Sequence, residues 1–129
     1  MNRWLSLVGA VMLLGTPAPA IAHTVKLEFH VPGQPPVVRA ATWSRGITVE
    51  QAMRRSNGKF VTSWTPGLGN ALLMAEGTPA LTNGALGTPF WWLCIDGKSP
   101  KVGMTNARIL SWRSRVEWFW TTEAACMAH

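Results

Sequence analysis

Strict alternation of apolar and polar residues is clearest over Val25–Val31. A period of two residues places alternate side chains on opposite faces, so this stretch predicts a β-strand with one buried face. Pro32–Pro36 follows with residues typical of turns, and Val37–Trp43 predicts a second strand. A hairpin is the simplest connection between them. The residues expected on the buried face of the first strand are Val25, Leu27, Phe29 and Val31.

The pattern changes to a helical period after Arg45-Gly46. Thr48 is a good N-cap, and Gln51 three residues later completes a capping box. Asn57-Gly58 is expected to end the helix, because Gly accepts the left-handed conformation found at many helix ends. A helix of about two turns is marginal alone and needs a sheet to pack on. The residues predicted at helical spacing are Val49, Ala52, Met53 and Ser56.

The middle of the chain gives weaker patterns. Lys59–Trp64 predicts a third strand, with Phe60, Thr62 and Trp64 on one side. Thr65–Asn70 is expected to be a loop, and Ala71–Ala75 is an apolar piece of ambiguous type. Glu76–Thr88 contains several Gly and Pro residues and predicts an ordered loop.

Two aromatic runs dominate the rest of the chain. Phe90–Ile95 and Val116–Trp120 predict strands, and Asp96-Gly97 directly after the first run indicates a tight turn. A loop over Lys98–Asn106 and the stretch Ala107–Trp112 separate that turn from the last strand. One face of each strand is wholly apolar and is expected to be core: Trp91, Leu93, Ile95, Val116, Trp118 and Trp120.

The opposite face carries Trp92 and Phe119 beside charged neighbours, which predicts a partly exposed aromatic surface. Tryptophan combines a large apolar area with a polar N–H, so such a surface could stack on a flat ligand. Trp64 and Trp112 are further candidates for the same role. The alternative for each of these residues is that it fills the core of a small domain.

The first 22 residues resemble a secretory signal peptide rather than part of a fold. A short basic start precedes the apolar run Trp4–Gly15, and small residues then offer cleavage after Ala20 or Ala22. The apolar run is shorter than the ~20 residues that a membrane span needs, and a buried N-terminal helix is the alternative. We expect a single domain over 23–129, in the periplasm or outside the cell.

The net positive charge of the chain does not change the expected class of protein. Loss of Arg3 lowers the formal charge from +6 to +5, and the remaining Lys and Arg are scattered. A solvated basic surface is therefore favoured over a nucleic-acid partner. Cys94 and Cys126 form an even pair, and in an oxidising compartment the natural inference is a disulfide. Two separate buried thiols are the alternative.

Candidate chemistry is sparse. The acidic residues show no paired spacing, and Ser-His-Asp, Cys-His and phosphate-loop patterns are absent from the sequence, so we expect no enzyme, cofactor or metal site. One rival remains: cleavage after Ala22 would expose the amine and imidazole of His23, a chelate suited to copper. His30 is the nearest second imidazole, but residues seven apart in a strand lie ~23 Å from each other.

The order of elements predicts a small α+β domain of β-grasp type, with one short helix on a mixed sheet. Three segments resemble the transcobalamin-like C-terminal domain family. Arg45–Met53 is similar to its G-x-T-V-x-x-A helix start, Pro89–Gly103 to its W-x-x-x-x-N-G-x-x-x-x-x-G hairpin, and Arg115–Trp120 to its closing strand. Asp96-Gly97 replaces the usual Asn-Gly, and Arg113-Ser114 replaces the usual Gly-Asp before the last strand.

The resemblance implies limited function. In eukaryotic cobalamin carriers this domain closes over a corrin ring held against a separate helical barrel, which this chain lacks. We therefore expect an exported, non-enzymatic binding module for a flat aromatic or corrinoid-like molecule. The alternatives are a protein–protein interaction module of an envelope or surface assembly, and a periplasmic copper binder that uses the mature N-terminal histidine.

Overall fold

The computed structural model describes residues 22–67, 69–76 and 89–128. The predicted signal peptide, apart from Ala22, therefore lies outside the described residues, as does the loop predicted over Glu76–Thr88 beyond Glu76 itself.

The N-terminal hairpin is confirmed. Strand β1 spans Thr24–His30 and pairs antiparallel with β2, Val37–Thr42. Val25, Leu27 and Phe29 are buried, and the alternate residues of β1 face outward. The period-two pattern therefore assigned the faces of this strand correctly.

The helix is also confirmed in type and in its start. Helix α1 spans Val49–Arg55, and Thr48 and Gln51 exchange both bonds of the capping box. Its end differs in detail, because Asn57 takes the left-handed conformation, with φ of 57°. Gly58 is needed for space instead: a Cβ there would come within 2.3 Å of the Phe60 ring.

A second hairpin follows the helix. Strand β3 spans Phe60–Thr65 and pairs antiparallel with β4, Gly69–Ala75. The expected loop over Thr65–Asn70 is thus too long, since Gly69 and Asn70 already belong to β4. Gly69 has φ of 81° and lies against Thr105, where a Cβ would meet the hydroxyl at 2.5 Å. A glycine inside a strand often marks such a close approach rather than a turn.

The aromatic runs form adjacent strands. Strand β5 spans Phe90–Ile95 and pairs antiparallel with β7, Arg115–Thr121. Asp96 and Gly97 both have positive φ, 52° and 77°, as a type I′ turn requires, and they lead into the two-residue strand β6, Lys98–Ser99. A last two-residue strand, β8, spans Met127–Ala128 and pairs parallel with β6.

The sheet order is β2-β1-β7-β5-β6-β8, and β3 and β4 form a separate two-stranded sheet. The first and last long strands, β1 and β7, lie side by side and parallel, so residues from both ends of the domain meet at the centre of the sheet. A small α+β fold is confirmed: a mixed sheet, a two-stranded sheet and one short helix make up the described part of the chain.

The core lies on one face of the six-stranded sheet, here called the inner face. Helix α1 covers part of it through Val49, Ala52 and Met53. The segment 104–109 covers a further part and is held by backbone bonds from Val49 to the Ala107 carbonyl and from Ile109 to the Ile47 carbonyl. Apolar strand residues that meet these elements include Leu27, Phe29, Leu93, Val116 and Trp118.

Within the described residues, the structure contains no helix with the length and apolar character needed to cross a membrane.

Candidate functional site

An apolar cavity of about 400 Å³ opens between β4, β5 and the loop 99–104. None of its lining residues is charged, and its polar lining groups include Thr65, Asn70 and Ser99. Pockets that bind small molecules are mostly apolar with a few polar groups, so this cavity has the composition of a ligand site. The larger side chains around it are Leu72, Phe90, Trp91, Trp92, Leu93, Val102, Met104 and Trp118.

Trp91 and Trp118 form the floor of the cavity on the inner face. Only 7% of Trp91 and 4% of Trp118 is exposed. Trp91 meets Phe29 edge to face and also contacts Trp120, which fixes its ring. The sequence pattern assigned both residues to the core. They are core residues, but they also border the cavity, and burial pattern alone could not separate these two roles.

Both indole N–H groups are buried and meet no acceptor among the described residues. A buried donor without a partner costs about 1–3 kcal/mol, so the placement of these two rings is not set by hydrogen bonding. The placement of the two rings is set by apolar packing, and the two indole N–H groups are left without hydrogen-bond partners in the described part of the chain. The floor is therefore a buried aromatic surface held by ring contacts.

Glu50 holds one wall of the cavity in place. Its carboxylate accepts bonds from Thr105 Oγ1 at 2.8 Å and Asn70 Nδ2 at 3.0 Å, and Arg54 donates to it at 2.6 Å. Burial opposes ionisation, but the bonds from Asn70 and Thr105 and the charge of Arg54 together keep the pKa of Glu50 below its ordinary value. This one ionised side chain ties α1 to β4 and to the loop.

A second ion pair joins the two sheets. Arg39 of β2 donates to both carboxylate oxygens of Glu76, which follows β4, at 2.8 and 2.6 Å. The bond from Arg39 lowers the pKa of Glu76 against the opposing effect of burial, and the pair raises the pKa of Arg39. Neither carboxylate was singled out from the sequence, because Asn70 and Thr105, which bond Glu50, and Arg39, which bonds Glu76, are far from them in the chain.

The four predicted site residues do not come together. Trp92 is half-buried, borders the cavity and donates its N–H to Cys126 Sγ at 3.3 Å. Phe119 is its partner across the β5–β7 pair and stacks on His30, with ring centroids 4.5 Å apart. Trp64 is 63% exposed on β3, in the separate two-stranded sheet. Trp112 stacks on His23 at 4.4 Å, with Arg113 over its ring.

The partly exposed aromatic face predicted for Trp92 and Phe119 is therefore engaged by neighbours within the chain. A disulfide joins Cys94 to Cys126, with Cα atoms 6.1 Å apart, which excludes the alternative of two free thiols. Cys94 lies on the same face as Trp92, so the bridge holds the C-terminal segment against that face. Trp92 is the predicted residue that still reaches the cavity.

The two histidines of the copper hypothesis lie at opposite ends of β1, and residues seven apart in a strand point to opposite faces. His23 precedes the strand and packs on Trp112, while His30 ends the strand and packs on Phe119. Strand geometry keeps them ~23 Å apart, so they cannot share an ion within one chain.

Comparison with known proteins places the fold but not the function. No family model and no curated protein matches the chain. Among solved structures, the fold is similar to a crystal structure of haptocorrin in complex with Cbi, at 14% identity and a TM-score of 0.52. The match covers 81% of this chain and 27% of the haptocorrin chain, so the protein spans about a quarter of the length of that structure. The chain is thus similar in fold to one part of a larger binding protein.

Proposed function

We propose that the protein is an exported, non-enzymatic binding module that holds a flat, largely apolar small molecule in the cavity between β4 and β5. The observation that carries this proposal is the cavity itself: about 400 Å³, without a charged lining residue, and bordered by three tryptophans. Rigid aromatic side chains offer a large contact area and lose little entropy on binding, which favours a flat ring system as ligand.

The volume limits what can enter. Small-molecule sites usually measure ~300–1,000 Å³, and this cavity is near the small end of that range. It can take one flat ring system whole, or one side of a larger macrocycle. Among macrocycles, a corrinoid is suggested by the sequence resemblance and by the similarity in fold to haptocorrin. Such a ligand would project from the cavity and need a partner on its other side.

The same proposal includes the fold family and the location. The parallel pairing of β1 with β7 between two antiparallel strands supports a β-grasp sheet and membership of the transcobalamin-like C-terminal family. The Cys94–Cys126 disulfide supports an oxidising compartment, and the apolar run Trp4–Gly15 supports removal of residues 1–22 on export. Residues 23–129 are then one mature domain.

Calorimetric titration with cyanocobalamin, riboflavin and haem tests the function, because heat is measured independently of ligand colour. We expect saturable one-to-one binding of at least one flat ligand. Ala71→Phe places a ring at the cavity wall and should weaken that binding at least tenfold, since Ala71 is an exposed lining residue. Ala40→Phe is the matched control on β2, away from the cavity. Saturable binding of none of the three ligands, or equal loss in both variants, contradicts the proposal.

An interaction module is the second candidate, and the free edge of β3 favours it. Among the described residues this strand pairs only with β4, and its sequence from Phe60 to Thr65 contains neither a charge nor a proline. Exposed edges normally carry such residues to prevent pairing with another chain. Val61 and Trp64 are 47% and 63% exposed along this strand. An added strand from a partner would satisfy the open edge.

Thr62→Pro tests this candidate, because proline removes a backbone donor and blocks strand addition. Co-purification from the native envelope with the unchanged protein and with the variant should show a partner that only the unchanged protein retains. Thr62→Val is the control, since it keeps the donor. Recovery of the same partner with both variants would exclude the β3 edge as the interface.

A further inference from the structure

A cluster of metal-ligating side chains lies on the outer face of the six-stranded sheet, opposite the cavity. Glu28, His30 and Glu117 each offer one ligand atom, and these atoms lie within 4.8 Å of one another. His30 Nε2 is 3.1 Å from a carboxylate oxygen of Glu117 and 3.7 Å from one of Glu28. We propose that these three residues form a binding site for a divalent transition-metal ion, with Zn²⁺ as its representative.

The backbone builds this cluster on two adjacent interior strands of the sheet. Glu28 and Glu117 are direct partners in the parallel pairing of the two central strands, β1 and β7. His30 follows Glu28 by two residues, so its side chain lies on the same face. Its ring stacks on Phe119, with planes 10° apart, which fixes the direction of the ring nitrogens. Sites supported by strands and fixed rotamers hold their ligand atoms more precisely than sites on loops.

The geometry at His30 suits a metal ion better than a hydrogen bond. Nε2 is shielded from solvent and has no acceptor in hydrogen-bonding geometry, although a Glu117 oxygen is only 3.1 Å away. A hydrogen bond requires the acceptor to lie on the axis of the N–H. In a metal site the ion lies on that axis, at ~2.0–2.2 Å, and the next ligand lies to the side. A carboxylate oxygen beside the axis is therefore the expected arrangement for coordination.

The charge on this face also favours a cation. Two carboxylates directly opposite each other on neighbouring strands repel and destabilise the pair. The flanking strands place uncharged residues beside them, Val38 next to Glu28 and Cys94 next to Glu117. The largely exposed Arg115 partly balances this charge, since its guanidinium is 3.1 Å from Glu117 and 3.9 Å from Glu28. Lys26 is paired with Arg115 in the register of β1 and β7, two residues before the pair of Glu28 and Glu117.

The residue types narrow the class of ion. One imidazole and two carboxylates suit Zn²⁺ and related first-row ions, whereas Mg²⁺ and Ca²⁺ prefer sites made only of oxygen ligands. Three protein ligands leave at least one coordination position for water or for a group from a partner. Only 10% of the Glu117 side chain is exposed, so an ion bound to it would lie close against the sheet.

Calorimetric titration of chelator-treated protein with ZnCl₂ at neutral pH tests the proposal. We expect one saturable site whose affinity falls at least about tenfold in His30→Gln and in Glu117→Gln, as loss of one ligand from a metal site predicts. His23→Gln is the matched control, because His23 also stacks on an aromatic ring but belongs to the N-terminal chelate of the copper hypothesis. Its Zn²⁺ affinity should not change.

Arg115→Gln supplies a second readout that does not depend on removing a ligand. The guanidinium competes with the ion for both carboxylates, so its removal should tighten Zn²⁺ binding. Absence of saturable binding in the unchanged protein, or unchanged or weaker binding in Arg115→Gln, would overturn the site. Loss of binding in His23→Gln with full binding in His30→Gln would assign the ion to the N-terminus instead.

Discussion

The two faces of the six-stranded sheet are built from alternate residues of the same strands, yet they differ in chemistry. The inner face holds Trp91 and Trp118, buried among apolar side chains and bordering an uncharged cavity. The outer face holds Glu28, His30 and Glu117, together with a disulfide. Consecutive residues of one strand point to opposite surfaces. A sheet of this kind can therefore offer an apolar site and a polar site within the thickness of one strand.

Two consecutive aromatic residues of β7 provide the sharpest test of this division. Trp118→Ala should lower the free energy of unfolding by about 3–5 kcal/mol, because it empties a buried position in the core. Phe119→Ala should cost clearly less, since its half-buried ring mainly stacks on His30. Urea unfolding of both variants measures the difference. Equal losses would show that the two faces do not differ in their contribution to stability.

The disulfide should mainly stabilise the fold, and it reaches the cavity lining through the bond that Cys126 Sγ accepts from Trp92. In the loop-entropy model, closing the 32-residue separation between Cys94 and Cys126 contributes about 3–4 kcal/mol. We expect the double variant Cys94→Ala, Cys126→Ala to unfold at lower urea concentration by that amount and to keep its affinity for any ligand of the cavity. A large loss of that affinity would link the outer face to the inner site.

Glu50 and Glu76 should make stability depend on pH. Both pKa values are lowered in the folded protein, so their contribution is fully present above the unfolded pKa of about 4.3 and is lost as the pH falls through the folded values. Urea unfolding between pH 7 and pH 3 should show this loss. Glu76→Gln should flatten the profile and cost about 1.5–3 kcal/mol near neutral pH. If the free energy of unfolding of Glu76→Gln depends on pH as in the unchanged protein, the pairing of Glu76 with Arg39 does not contribute to the pH dependence.

The smallest effect is expected at Trp64, which belongs to neither face. It is 63% exposed on β3, so Trp64→Ala should change the free energy of unfolding by less than about 0.5 kcal/mol. Its ligand affinity should also be unchanged, because the residue does not border the cavity. A large loss of affinity would support the sequence-based prediction that Trp64 contacts the ligand.

Local chemistry in the sequence predicted the local structure well. The capping box at Thr48 and Gln51, the alternation in β1 and the Asp96-Gly97 turn each depend on residues close together in the chain. Strand β4 was missed in part because Gly69 was interpreted as a turn residue. Its real role depends on Thr105, which lies 36 residues away and cannot be inferred from local pattern.

The candidate sites were harder to predict for the same reason. The cavity needs β4 placed beside β5, and the cluster of Glu28 with Glu117 needs the parallel register of β1 and β7. Neither pairing is encoded in residues that are neighbours in sequence. Trp92 and Phe119 were correctly placed on one face, but the sequence did not show that Cys126 and His30 would pack against them.

Binding of a small neutral aromatic probe is the most direct test of the central claim, that the inner face carries a ligand site. N-phenyl-1-naphthylamine becomes fluorescent in apolar surroundings and carries no charge, as the uncharged lining requires. We predict a saturable one-to-one increase in its fluorescence that weakens at least tenfold in Ala71→Phe and is unchanged in Ala40→Phe. An increase that does not saturate, or one that both variants reduce equally, would contradict a ligand site between β4 and β5.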